Sequence, residues 1–219
     1  MRILVLFGGE SVEHEISVIT AIQVMNALSV KYKVIPVYID KENELYHSDK
    51  FINLESFKNI DKFIKKKNRV EIKRNNKRYY IKGKKKKYFD MAFCIVHGKG
   101  MEDGTLLSYL KFNKIPVISD SPSFYSLAQN KVLSKRILND LKINNVEFEE
   151  IKEYENADKL KHLGFPLIIK PNNLGSSIGI STANNEEELE ESLKEAFNYD
   201  TKVVVEKFLS NSKEYNISQ

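Results

Sequence analysis

"RILVLFGGESVEHEISVITAIQVMNALSVKYKVIPVYI", residues 2–39, decides the fold. The run "RILVLF" (2–7) is apolar and stops at Gly8-Gly9, as a strand buried on both faces of a parallel sheet would. From about Glu13 to Leu28, the residues Ile16, Ile19, Ile22, Val24, Met25 and Leu28 recur at helical spacing and predict an amphipathic helix. "KVIPVYI" (33–39) is a second strand. Strand, glycine loop, helix and strand make a βαβ unit, so a parallel sheet with a right-handed crossover is expected.

Outward from this unit, residues 40–88 are polar, basic and weakly patterned, which predicts small strands or hairpins inserted between the main elements. "MAFCIV" (91–96) returns to the buried sheet, followed by a helix over about 104–112 and a short strand "PVIS" (116–119). An α/β domain of residues 1–120 is expected. Residues 121–219 change character, with a helix over about 130–141 and strands at "VEFEEI" (146–151), "PLIIK" (166–170) and "KVVVEKFL" (202–209). "NNEEELEESLKEAF" (184–197) is an acidic-started helix with Asn184 or Asn185 as N-cap. This half reads as a small α+β module. "KEYNIS" (213–218) begins a further strand that breaks off at Gln219, so the expectation is a chain cut short of another domain.

Composition narrows the class. With 42% apolar residues, 12 Phe and 11 Tyr, the chain has the material for a packed core. No apolar run approaches the roughly 20 residues that cross a bilayer. Gly8-Gly9 and three glutamates follow "RILVLF" where a cleavage site would need small residues, so this is a first strand and not a signal peptide. The single cysteine, Cys94, lies inside "MAFCIV" and reads as an inert buried thiol. A soluble cytoplasmic protein without a membrane partner is expected. Net charge is +5, but from Lys58 to Lys87 fifteen Lys and Arg face only Asp61 and Glu71, giving +13 there and −8 elsewhere. Such a block can attract nucleic acid. Tyr79, Tyr80 and Tyr88 do not form an RNA-binding signature, which favours a solvated insertion.

Three stretches could carry chemistry. In "GGESVEHEIS" (8–17), at the carboxyl end of the first strand, Glu13 and Glu15 sit near a helix N-terminus and could bind an ammonium group; ordinary capping by Ser11 is the alternative. In "VHGKGMEDG" (96–104), His97 can reach a ligand or make a local hydrogen bond. Neither a zinc-ligand spacing nor a G-x-S-x-G elbow is present. In "LIIKPNNLGSSIGIS" (167–181), Lys170 supplies a charge for phosphate, and Gly175, Ser176, Ser177 and Gly179 supply N–H groups and hydroxyls. The stretch lacks the Gly-Lys-Ser/Thr ending of a P-loop; a flexible hairpin is the alternative. Glu206 could accept from an adenine amino group, with Phe208 and Leu209 beside the ring, and Lys131 is a further cation.

In order and spacing, "GGESVEHEIS", "HGKGMEDGTL", "NKVLSK", "GFPLIIKPNNLGSSIGIS" and "VVVEKFL…KEYNI" resemble the D-alanine:D-alanine ligases of the ATP-grasp superfamily. The resemblance runs through essentially the whole chain. It implies an N-terminal Rossmann-like (pre-ATP-grasp) parallel-sheet domain that binds substrate, then a small α+β ATP-grasp subdomain and the start of a C-terminal domain. It implies ATP-dependent joining of two D-alanines through an acyl phosphate for peptidoglycan precursors. D-serine or D-lactate as second substrate, or a non-catalytic nucleotide-binding module, are the alternatives. By the same resemblance Glu13 would hold the ammonium of the first D-alanine and Ser176 orient its carboxylate. Ile16, through its backbone, and His97 would line that site. Lys131 and Lys170 would contact ATP phosphates under the Gly175–Gly179 loop with Ser177. Glu206, Phe208 and Leu209 would frame the adenine, and Glu214 would meet the ribose. Ligands for Mg2+ or Mn2+ are expected beyond Gln219, so this chain alone should turn over poorly, and a homodimer is implied. The chain departs from the family pattern at Met101, at Val117-Ile118-Ser119, at Gln129-Asn130 and at Leu174.

Overall fold

The computed structural model describes residues 1–152, 157–213 and 215, and its residues divide into two compact units, 1–126 and 127–219. In the first unit, β1 (Arg2–Gly8) pairs in parallel with both β2 (Lys33–Ile39) and β7 (Met91–Ile95), and the short β3 (Leu45–His47) adds an antiparallel edge to β2. The order is β3-β2-β1-β7. Residues of β1 alternate between two cores. Leu4 and Leu6 meet a cluster with Ile35, Val37, Val96, Leu107 and Leu110. Ile3, Val5 and Phe7 meet another under helix α1 (His14–Ser29). Burial on both faces is what an apolar run without alternation requires.

Helix α1 corrects the expected apolar stripe. Its buried residues are His14, Ser17, Val18, Ala21 and Met25, whereas Ile16 and Ile19 are exposed. The rotation follows from two polar side chains that bind strand ends. Ser17 Oγ accepts from Gly8 N at 2.7 Å and donates to Ile95 O, joining the helix to β1 and β7. His14 Nδ1 donates to Gly9 O at 2.5 Å, and its Nε2 lies 2.9 Å from the Tyr38 hydroxyl, which burial keeps protonated. A buried polar group keeps its place only where it is paired, so these bonds set the helix face, and Ile16 and Ile19 turn outward while Ile22, Val24, Met25 and Leu28 still pack against the core.

The basic insertion contributes more core than a solvated segment would. Residues 49–68 run through short 3-10 turns that bury Phe51 completely among Phe7, Tyr38, Phe57 and Phe63, at ring separations of 5.5 to 6.4 Å. Strands β4 (Glu71–Asn75), β5 (Arg78–Lys82) and β6 (Lys86–Phe89) form an antiparallel sheet. Ile72, Ile81 and Phe89 point into the first core, and the exposed lysines, with the Tyr80–Tyr88 pair, lie on its other face. Cys94 is buried, and burial pushes its thiol up to about 12, which fits the inert role.

Two local expectations need correction. "PVIS" makes one parallel bridge, Ala92 to Val117, and no strand, because Pro116 offers a carbonyl to Ala92 N but has no N–H to return. Besides α2 (Thr105–Phe112), a further helix α3 (Pro122–Gln129) forms where none was expected. Its signal was present in Ser121-Pro122, since Ser121 Oγ accepts from Phe124 N and proline suits the first helical turn.

The second unit is an antiparallel sheet in the order β10-β9-β11-β8, formed by β8 (Phe148–Lys152), β9 (Leu167–Pro171), β10 (Ser181–Ala183) and β11 (Lys202–Lys207). Alternation sends Leu167, Ile169, Val203, Val205 and Ile151 into a core with α5 (Glu186–Phe197). Asn185, not Asn184, caps α5, accepting from Glu188 N at 3.0 Å, while the Glu188 carboxylate reaches back to Asn184 N at 2.8 Å. The strand expected from "KEYNIS" falls almost entirely outside the described residues. Among the described residues no helix is long and apolar enough to cross a membrane.

Emptying the aromatic cluster with Phe51→Ala should lower unfolding free energy by about 3–5 kcal/mol in urea denaturation. Lys84→Ala, in the exposed bend between β5 and β6, should stay within about 0.5 kcal/mol of wild type.

Candidate functional site

In the first unit, the ends of β1 and β7 bring two loops together. Glu13 is the N-cap residue of α1. Its N–H donates to Ser11 Oγ at 3.1 Å, and its carbonyl accepts from Ser17 N at 3.0 Å. Gly98 follows His97 off β7 with φ of +68° and presses so closely that a Cβ there would lie 2.4 Å from Ser11 Oγ and 2.7 Å from Glu13 Oε2. Only glycine satisfies both the conformation and the approach. His97 is held loosely, its Nδ1 4.0 Å from Glu102 Oε1, and its Nε2 is buried with no hydrogen-bond partner among the described residues. Asp103 fixes the rest of this loop, accepting from Gly100 N at 2.9 Å and from Thr105 N at 2.8 Å. The arrangement is a carboxylate at a helix N-terminus pressed by the loop that carries His97, a setting for an ammonium-bearing ligand. Ile16 shows its side chain to solvent, so only its backbone could serve such a ligand.

In the second unit, the charged groups sit where α4 (Lys131–Asp140) meets the ends of β9 and β11. Asn172, fully buried, accepts from Val132 N through Oδ1 at 3.0 Å, and its carbonyl accepts from Lys131 N at 3.1 Å. Lys131 Nζ turns back to the carbonyls of Leu174 and Asn172. Burial first, and Lys170 second, hold its pKa below the ordinary lysine value. From Leu174 the chain enters the Gly175–Gly179 turn. Ser176 and Ser177 are both left-handed, at φ of 52° and 58°, and Ile178 N closes the turn on Gly175 O at 3.2 Å. Non-glycine residues avoid that region, so two in succession mark a constrained turn. Gly179 is held by space as well, since a Cβ there would lie 2.8 Å from Tyr199 and 2.9 Å from Pro171.

Lys170 and Glu206 lie on the sheet face opposite α5. Glu206 is buried between two cations, with Lys170 Nζ 2.7 Å from Oε2 and Lys135 Nζ 3.2 Å from Oε1. Phe208 and Leu209, just past β11, keep their side chains exposed. Glu214 lies outside the described residues. Sequence reasoning missed Asn172 and Lys135. Lys135 stands one helical turn from Lys131 and so shares its face, a signal that was available. The bond from Asn172 to α4 spans forty residues and had none.

Residues 2–119 match the family model described as D-ala D-ala ligase N-terminus, and residues 137–218 match the one described as D-ala D-ala ligase C-terminus. The chain belongs to the D-ala D-ala ligase family. It is 38% identical over 222 residues to a D-alanine–D-alanine ligase of Thermosipho melanesiensis, covering 99% of this chain and 61% of that protein. The chain thus spans about three fifths of the length of that relative. Among solved structures, the D-alanine–D-alanine ligase from Helicobacter pylori superposes with a TM-score of 0.80 at 30% identity, covering 96% of this chain and 67% of that one. The Bacillus anthracis D-alanine–D-alanine ligase complexed with ATP gives 0.67 at 26% identity, covering 96% and 59%. The first matched range includes Glu13 and His97 and the second includes Lys170, Ser176 and Glu206, whereas Lys131 lies between the two.

Two outcomes test this geometry. Gly98→Ala should destabilise the first unit by about 1–2 kcal/mol in denaturant unfolding and displace the Glu13 side chain, visible as altered chemical shifts for the α1 N-terminus. With its pKa lowered in the folded state, Lys131 makes the unfolded chain bind more protons at alkaline pH. Its cost is full below the lowered value and is relieved as pH rises toward 10.5. Stability against urea should therefore rise across that window, and Lys131→Met should flatten the rise.

Proposed function

We propose that this chain binds ATP through its second unit and D-alanine through its first, as part of an enzyme that joins two D-alanines for peptidoglycan precursors. The observation that carries the reading is the Lys131–Lys170 pair at the foot of the Gly175–Gly179 turn. Two neighbouring ammonium groups, one bonded to the backbone carbonyls of Leu174 and Asn172 and with a depressed pKa, make a site that an anion would stabilise. The turn beside them presents serine hydroxyls and backbone N–H groups, as a phosphate cradle does.

ATP supplies a phosphoryl group that converts a carboxylate into an acyl phosphate, which the amine of a second D-alanine displaces with release of phosphate. The residues of this chain have separate parts. Glu13 accepts from the ammonium of the first D-alanine, with His97 and the Ile16 backbone lining its pocket. Ser176 orients the carboxylate. Lys131 and Lys170 balance negative charge on phosphate oxygens, and the Gly175–Gly179 turn with Ser177 covers them and limits water. Glu206 accepts from the adenine amino group, Phe208 and Leu209 flank the ring, and Glu214 serves the ribose. Among the described residues no three His, Cys, Asp or Glu side chains cluster as a site for Mg2+ or Mn2+ needs.

The test separates the two sites. ATP should raise the melting temperature of the wild-type protein, by the equivalent of about 2.7 kcal/mol at a hundred times its Kd. Lys170→Met should abolish that shift, whereas Glu13→Gln should keep it and, in the intact enzyme of which the chain is part, lower D-alanine-dependent phosphate release by about a hundredfold or more. Wild-type ATP response in Lys170→Met would refute the phosphate role, and wild-type turnover in Glu13→Gln would refute the ammonium role.

A further inference from the structure

We propose that Lys135 is a positioning residue that makes the nucleotide site selective for a purine with an amino donor, rather than a carbonyl, at ring position 6. The inference rests on the reading that Glu206 meets the adenine amino group, and extends it to a residue with no assigned part. Lys135 projects from α4 and is 15% exposed at its side chain. Its Nζ lies 3.2 Å from Glu206 Oε1, 3.4 Å from Asn145 Oδ1 and 3.5 Å from Val146 O, and it stands 5.2 Å over the Phe148 ring. Phe148 is the direct cross-strand neighbour of Glu206 on β8. Lys135 is thus braced from two sides and holds one carboxylate oxygen, while Lys170 holds the other at 2.7 Å.

The two lysines are not equivalent. Lys170 is the more exposed, at 22%, and a phosphate competes for its ammonium. Lys135 has carbonyl, amide and ring partners around it and no such competitor. When Lys170 turns to a phosphate, Lys135 is the partner that keeps Glu206 in place. A carboxylate held by ammonium groups offers only lone pairs, two on each oxygen, so it can still accept one more hydrogen bond but cannot donate. Adenine presents an amino donor at the ring position where hypoxanthine and guanine present a carbonyl oxygen. Two acceptors facing each other in a buried site are disfavoured.

The experiment measures affinity of the protein for ATP and for inosine triphosphate, with melting curves as a check on folding. Wild type should prefer ATP by about tenfold or more, the effect of one hydrogen bond to a charged acceptor. Lys135→Met should erase most of that preference by weakening ATP alone, and Lys135→Arg should restore much of it. Glu206→Gln, which adds an N–H donor, should move the preference toward inosine triphosphate and decides the matter if Lys135→Met does not fold. Equal weakening of both nucleotides in Lys135→Met, or an unchanged preference in Glu206→Gln, overturns the proposal. Equal wild-type affinity for the two also overturns it but leaves nucleotide binding standing. A wild type that binds neither nucleotide removes the underlying reading as well.

Discussion

Asn172 is where the second unit is joined. Its side-chain oxygen takes Val132 N at the start of α4, its carbonyl takes Lys131 N, and its own N–H donates to Lys202 O on the way into β11. One buried residue thereby sets the distance between a helix, two strands and the loop that follows. Asn173 extends the joint, bonding Asp200 through both its backbone and side-chain nitrogens. The buried amide would be costly unpaired, so these bonds form together or not at all. Lys131 and Lys170 inherit their placement from this joint, since each sits within two positions of one of its bonds.

The charge arrangement follows from that placement. A lysine beside another lysine in a part-buried setting is unfavourable, and the lowered pKa of Lys131 records the cost. Glu206 offsets part of it by pairing with Lys170, and carbonyls of Asn172 and Leu174 solvate Lys131. Asp200 and Glu206 both act on Lys131, so the three ammonium groups of Lys131, Lys135 and Lys170 have two carboxylates near them. A fold stabilised only for itself would place an apolar residue at one of these positions.

The first unit uses polar groups differently. Ser17 and His14 fasten α1 to the strand ends, and Gly98 brings the second loop against Ser11 and Glu13. The parallel strands, buried on both faces, make the rigid base, and the groups suited to a ligand stand on the loops at their carboxyl ends. The basic insertion is tied to the same base by its aromatic side chains, so its lysines face solvent while Phe51 serves the core.

Much of this was legible in the amino-acid sequence because it is local. Apolar runs ending in glycine specify β1 and β7, the Asn185–Glu188 pairing specifies the start of α5, and the motif series specifies the family. Other features were hidden by the same reasoning. Ile16 and Ile19 followed helical spacing, yet Ser17 and His14 took the buried positions beside them because their partners lie on strands that periodicity cannot see. Helix α3 was signalled by Ser121-Pro122 and overlooked, and β10 is too short to show a period of two. The sequence by itself determined the element types, the family and the kinds of charge available, because propensity and motif act over a few residues. Only the tertiary structure decided which lysines share Glu206 and what presses on Glu13, because those contacts join residues 36, 71 and 85 positions apart.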